Sequence, residues 1–160
     1  MVKKVRPSTT RRVAVAVVVL AIALGLNTMA AATPGFGTER TPTVQGKLKG
    51  PQKSKADGIE LKTKSDVKVD DFELTYHVGG FSGWHEHPGI VIATVKSGAV
   101  ERKLGCGPAE TFTAGQTFTE VGIHYVSNPS STDDAVLAIT QIYPADWVGP
   151  ARTDLPPPVC

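Results

Sequence analysis

The first 32 residues contain no acidic side chain, and the chain of 160 residues has two cysteines, two tryptophans and four histidines. These shortages exclude several classes of protein. The apolar run over residues 13–26 (VAVAVVVLAIALGL) falls short of the ~20 residues that a membrane-spanning helix needs. No cysteine lies close behind that run, so a lipid-modified N-terminus is not indicated. Beyond it no helical apolar period is present, which excludes a helical bundle. No Ser/His/Asp spacing stands out, so a hydrolytic triad is not indicated. The length suits one domain and not two.

The segment that lacks acids has an order of its own. Lys3, Lys4, Arg6, Arg11 and Arg12 precede the apolar run, and small residues Ala30, Ala31 and Ala32 follow it. Basic, apolar and small-residue segments in that order are a secretory signal peptide over residues 1–32, with an uncleaved N-terminal anchor as the alternative. The mature chain then starts near Thr33 and is secreted or held at the cell envelope. Setting the leader aside changes the charge. The full chain has 17 Lys+Arg and 15 Asp+Glu, formally +2; the mature part keeps twelve basic and fifteen acidic groups, formally −3. The positive stripe that phosphate binding needs is absent, which excludes nucleic acid as a partner. No membrane contact is expected after cleavage. A small-molecule ligand and a homodimer stay open.

Cys106 and Cys160 both lie in the exported part, and an even cysteine count outside the cytosol favours a disulfide. The loop closed would be worth on the order of 4 kcal/mol in the chain-entropy view. Two free thiols are the alternative.

Residues 33–56 are rich in Thr, Gly, Pro and Lys and read as a flexible tail or a loosely attached edge segment. From residue 57 to 145, short runs of β-branched and aromatic residues alternate with Gly, Pro, Asn and Asp. Strands are expected near 59–62, 67–69, 72–78, 90–95, 99–103, 111–113, 117–119, 124–127 and 135–143. Lys96-Ser97-Gly98 reads as a hairpin turn. This is an all-β, single-domain pattern, a sandwich or small barrel. Residues 146–160 carry too much proline for a sheet interior and are expected to lie over the domain as extended chain, fixed at Cys160.

The stretch GWHEHPG, residues 83–89, places two imidazoles two residues apart before a Pro-Gly turn. In an extended strand His85 and His87 share one face and Glu86 points the other way. Two neutral imidazoles on one face can be half of a metal site; two ordinary histidines packed beside Trp84 are the alternative.

The wider stretch GGFSGWHEHPGIVIATVKSG, with the later GIHYVSN, resembles the two motifs of the cupin superfamily, G-x5-H-x-H-x3,4-E-x6-G and G-x5-P-x-G-x2-H-x3-N. Gly79, His85, His87 and Gly98 fit the first, with Val91 at the glutamate position. Gly122, His124 and Asn128 fit the second, with Glu120 at the proline position and one residue missing before His124. The pattern is similar to small secreted bacterial cupin-domain proteins with GWH-x-HPG and a C-terminal cysteine. The resemblance implies an antiparallel β-barrel or double-sheet jelly roll whose ligands point inward. It implies a site made by His85, His87 and His124 for Zn²⁺, Fe²⁺, Ni²⁺, Cu²⁺ or Mn²⁺. A barrel-wall role is the alternative for His124. Val91 leaves the site one carboxylate short, and Val91→Glu is expected to restore it. Glu86 reads as solvated. His77 reads as structural, with a place facing the same interior as the alternative, and Glu120 as a loop carboxylate, with orienting the His124 ring as the alternative.

Three functions compete: a metal-dependent enzyme, a non-catalytic binding module of the envelope, and a barrel whose metal site has decayed. Val91 and the shortened second motif favour the last two. Cupin barrels host many activities, so whether the chain is an enzyme stays open.

Overall fold

The computed structural model describes residues 31–160. The expected leader over residues 1–32 therefore lies outside the described residues, apart from Ala31 and Ala32. No helix among the described residues is long and apolar enough to cross a membrane. Thirteen strands follow one another: β1 (Phe36–Arg40), β2 (Val44–Leu48), β3 (Gln52–Ala56), β4 (Ile59–Thr63), β5 (Val67–Phe81), β6 (His85–Glu86), β7 (Ile90–Ser97), β8 (Ala99–Leu104), β9 (Ala109–Thr113), β10 (Thr117–Glu120), β11 (His124–Ser127), β12 (Ala135–Pro144) and β13 (Thr153–Asp154). Eleven belong to one antiparallel sheet with the path β10-β7-β12-β5-β11-β6-β13, which β1, β2, β8 and β9 extend; β3 and β4 form a sheet of their own.

The main sheet folds over on itself into a double-layered barrel. One layer is β10-β7-β12-β5 with β1 and β2 on the far edge of β5. The other is β9-β8-β11-β6-β13. Strand β5 joins them, since Phe81 at its end pairs with Ser127 of β11. The layers are held by side chains that alternate inward. In β12 the inward set is Ala135, Leu137, Ile139, Gln141 and Tyr143; in β7 it is Val91, Ala93 and Val95. With Tyr76, Val100, Phe118 and Val126 most of these make one core cluster. Each fully buried aliphatic side chain contributes about 1.5–3 kcal/mol. The alternation also fixes register, because a slip of one residue would turn the whole apolar set outward.

Two expectations need correction. Residues 36–56 are paired strands and not a flexible tail: β1 and β2 hydrogen-bond along β5 over Leu74–Phe81 and Val67–Asp71. Their side chains are mostly exposed, so backbone pairing holds them and no apolar period marks them. Lys96-Ser97-Gly98 does not close a hairpin either. Strand β7 pairs with β10 and β12, while β8 pairs with β9 and β11, so at Gly98 the chain passes from one layer to the other.

The last segment lies over the barrel mouth. Thr153 and Asp154 pair with Glu86 and His85, and Cys106 is bonded to Cys160 with their Cα atoms 5.7 Å apart.

Candidate metal centre

The two G-x-H turns are built alike. Gly83 (φ 69°) precedes Trp84-His85, and Gly122 (φ 74°) precedes Ile123-His124. Both glycines adopt a backbone region that is costly for other residues. In each turn the glycine carbonyl accepts a hydrogen bond from the histidine two residues on: His85 Nδ1 to Gly83 O at 3.0 Å and His124 Nδ1 to Gly122 O at 2.7 Å. The two histidines face each other as a cross-strand pair between β6 and β11. His87, just past β6, donates Nδ1 to the Ala151 carbonyl at 2.8 Å.

All three Nδ1 atoms are thus occupied by carbonyls. A backbone acceptor at Nδ1 fixes the tautomer and leaves the Nε2 lone pair free. The rings converge, with centroids 4.8 Å apart for His85–His87, 4.1 Å for His85–His124 and 5.3 Å for His87–His124. The expected trio is brought together. His77 stays out of it, bonded to Asp134 at 2.8 Å on the surface, and Glu86 is exposed.

The fourth member is Glu120, so the expectation of a loop carboxylate is overturned. Glu120 ends β10, is 6% exposed, and lies with the three histidines so that one ligand atom of each falls within 4.8 Å of the others. Its Oε2 is 3.2 Å from His124 Nε2 and 3.9 Å from His87 Nε2. Glu120 is also the direct cross-strand partner of Val91. Directly opposed residues project to the same face, about 4.5–5.5 Å apart at Cβ. The carboxylate missing from position 91 is supplied from the neighbouring strand. The signal was present in TFTE: Phe118 is core, and the strand period carries the same face to Glu120.

His124 Nε2 is buried and has no hydrogen-bond partner, although Glu120 Oε2 is close. With Nδ1–H given to Gly122, that nitrogen meets the carboxylate as a second acceptor whenever the ring carries no second proton. Two acceptors in contact inside a barrel repel unless a proton or a metal cation lies between them. The donor set fits a metal ion: three imidazole nitrogens, one carboxylate oxygen, and further positions open to the interior.

Burial, then the charges of His124 and Arg152, lowers the His85 pKa to about 2. Burial also lowers that of His87, against the opposing pull of the Ala151 carbonyl and Glu120. Both rings are therefore neutral and ligand-ready near pH 7. Tyr76, buried in the same wall, is held above its ordinary value by burial and by Glu120.

A pocket of about 430 Å³ opens in front of the cluster, lined by His85, His87, Glu120, Tyr76, Arg152 and apolar residues of β5 and β12. Arg152 donates Nη2 to Ser82 O, and its Nε reaches Asp154 Oδ1 at 2.9 Å. Gln141 joins the wall to the strap by donating to Ala151 O at 2.8 Å. Ala151 and Arg152 were not foreseen, because a proline-rich end carries no periodic signal that ties it to a site.

Fold and site together define an antiparallel β-barrel with a buried three-histidine, one-carboxylate centre. No protein-family model matches the chain, and no curated protein does. Solved structures similar to it include a Cupin_2 domain of an XRE-family transcriptional regulator from Enterobacter cloacae (24% identity, 48% of this chain and 81% of that one, TM-score 0.40). A conserved protein with a double-stranded β-helix domain from Klebsiella pneumoniae is 20% identical over 54% of this chain and 73% of its own, TM-score 0.45. A cupin-like protein from Thermotoga maritima is 20% identical over 57% and 77%, TM-score 0.46.

Proposed function

We propose that this is an exported barrel protein that holds one divalent transition-metal ion through His85, His87, His124 and Glu120 and presents it to a small molecule entering the pocket. The observation that carries the reading is the buried His124 Nε2, which faces the Glu120 carboxylate at 3.2 Å with no donor between them. Glu120 also counts against a decayed site, since the charge lost at Val91 is present one strand away. When bound, such an ion supplies Lewis-acid chemistry to an oxygen-bearing ligand or water. The chain's own residues do the rest: three carbonyls hold the imidazoles in one tautomer, the barrel wall excludes bulk water, and Arg152 places a positive charge at the mouth. Export is supported by the leader and by the Cys106–Cys160 bond, which suits an oxidising compartment.

The test is metal content and calorimetry on untagged protein at neutral pH. One saturable equivalent of Zn²⁺, Ni²⁺, Cu²⁺ or Mn²⁺ per chain is expected, lost in a His85→Ala/His87→Ala variant. No saturable uptake, or uptake unchanged in that variant, overturns the reading.

A further inference from the structure

The β3–β4 hairpin stands apart from the barrel in pairing and in charge. It forms a separate two-stranded sheet, and almost every side chain in it is exposed. Its tip, Asp57-Gly58, is a tight turn with positive φ at both residues, and nothing lies within 4 Å of where a Gly58 Cβ would sit.

Residues 47–68 hold seven lysines against Asp57, Glu60 and Asp66, formally +4. The rest of the chain from Thr33 onward has five basic and twelve acidic groups, formally −7. Lys53 is the direct cross-strand partner of Lys62. Like charges so placed destabilise a hairpin unless a counter-charge meets them. Lys47, opposite Lys68, has such a partner in Asp66 at 2.7 Å. Lys49, Lys53, Lys55, Lys62 and Lys64 form no ion pair among the described residues.

The register divides the hairpin into two faces. Lys53, Lys55, Glu60 and Lys62 share one; Ser54, Ala56, Ile59 and Leu61 share the other. Ile59 is 75% and Leu61 43% exposed. A lone two-stranded hairpin is marginal in water and leaves these apolar groups uncovered.

We propose that the β3–β4 hairpin is a docking arm for an anionic lipid surface. Charge complementarity argues for an anion, since the cations are concentrated here and the barrel is acidic. The apolar face argues for a bilayer over a soluble polyanion, which has nothing to cover Ile59 and Leu61. Laid on the headgroup layer, the hairpin buries that face at the acyl boundary. The lysine stems are long enough to reach round a two-stranded ribbon to the phosphates. This departs from the expectations of no positive stripe and of no membrane contact after leader cleavage, which rested on the summed charge and not on its distribution.

The test is co-sedimentation of the chain starting at Thr33, which carries every described strand, with two kinds of vesicle: pure phosphatidylcholine, and phosphatidylcholine with phosphatidylglycerol. Binding to the phosphatidylglycerol vesicles alone, reversed by salt, is expected. Lys53→Gln/Lys62→Gln should cut partitioning by roughly 30-fold, about fivefold for each lysine lost. Ile59→Ser/Leu61→Ser should cut it about tenfold. Replacing residues 52–63 by a short Gly-Ser linker should abolish binding while thermal stability is kept. No binding by the parent chain overturns the proposal, as does equal binding to both vesicles. So does full binding by Ile59→Ser/Leu61→Ser with dextran sulfate as an equal competitor, because the ligand would then be any soluble polyanion.

Discussion

His85 and His124 are aimed from within their own turns, by Gly83 and Gly122 two residues before each, whereas His87 is aimed from Ala151, 64 residues further along. The two local devices need little beyond a glycine in the right backbone region and one hydrogen bond across a turn. The remote device needs the whole topology: β12 must run the length of the barrel, and the strap must fold back and pair β13 with β6. His85 and His124 are held by the barrel's own turns and His87 by the strap, so the site has a rigid half and a half that depends on how the chain end is held.

The sharpest way to break that contrast is to free the strap. Cys160→Ser removes the bond to Cys106 and its loop-closure contribution of about 4 kcal/mol. The melting temperature should fall by on the order of 10 °C by calorimetry. Metal affinity should fall roughly 10–100-fold, as for a lost partner behind a ligand. Affinity unchanged in the reduced form would show that Ala151 holds His87 without help from the disulfide.

Acid comes next. The His85 pKa near 2 lies below the ordinary value of 6.5, so in this window the unfolded chain binds the proton that the folded chain refuses. The stability is present above about pH 6.5 and is lost as pH falls towards 2, at about 1.4 kcal/mol per pH unit for each such histidine. His87, also lowered, adds in the same direction. Urea unfolding with a chelator present, between about pH 7 and about pH 5, should give a falling midpoint. A midpoint independent of pH would mean that the rings are not buried neutral.

Val91→Glu, read from the motif alone, would complete the site. With Glu120 opposite, it instead sets two carboxylates side by side. A loss of at least about 1 kcal/mol is expected in metal-free protein, shrinking when metal is added. A variant more stable than the parent without metal would contradict the β7–β10 register.

The smallest change compares the two turns directly. Gly122→Ala meets no atom within 4 Å and should cost only the positive φ, about 1 kcal/mol. Gly83→Ala would also collide with the Thr33 backbone, so its loss in thermal unfolding should be larger.

Much of this was legible in the residues. Short runs of β-branched and aromatic residues bounded by Gly, Pro, Asn and Asp marked β7, β12 and the GIHYVS strand, and the i, i+2 spacing brought His85 and His87 together. Glu120 was missed because the strand was ended at Thr119, one residue before its inward face returned. Strands β1 and β2 were missed because their hold is backbone pairing to β5, and exposed side chains leave no period to read. Ser97-Gly98 has the chemistry of a hairpin turn, yet the chain uses it to change layers, a choice set by the partners of β7 and β8 and not by the turn residues.

Thr33, Trp84 and Leu155 are tied to one another: Leu155 O accepts from Thr33 N at 3.0 Å, Thr33 Oγ1 accepts from Trp84 N at 2.8 Å, and Trp84 O accepts from Leu155 N at 2.8 Å. A chain made from its N-terminus forward produces these partners at widely separated moments. Contacts this distant in sequence are slow to close. Thr33 and Trp84 can wait for each other, but the clasp stays open until Leu155 is made, and the Ala151 carbonyl reaches His87 only at about that point. The clasp and the carbonyl that aims His87 are therefore late-forming parts of the site, set by segments far apart in the chain.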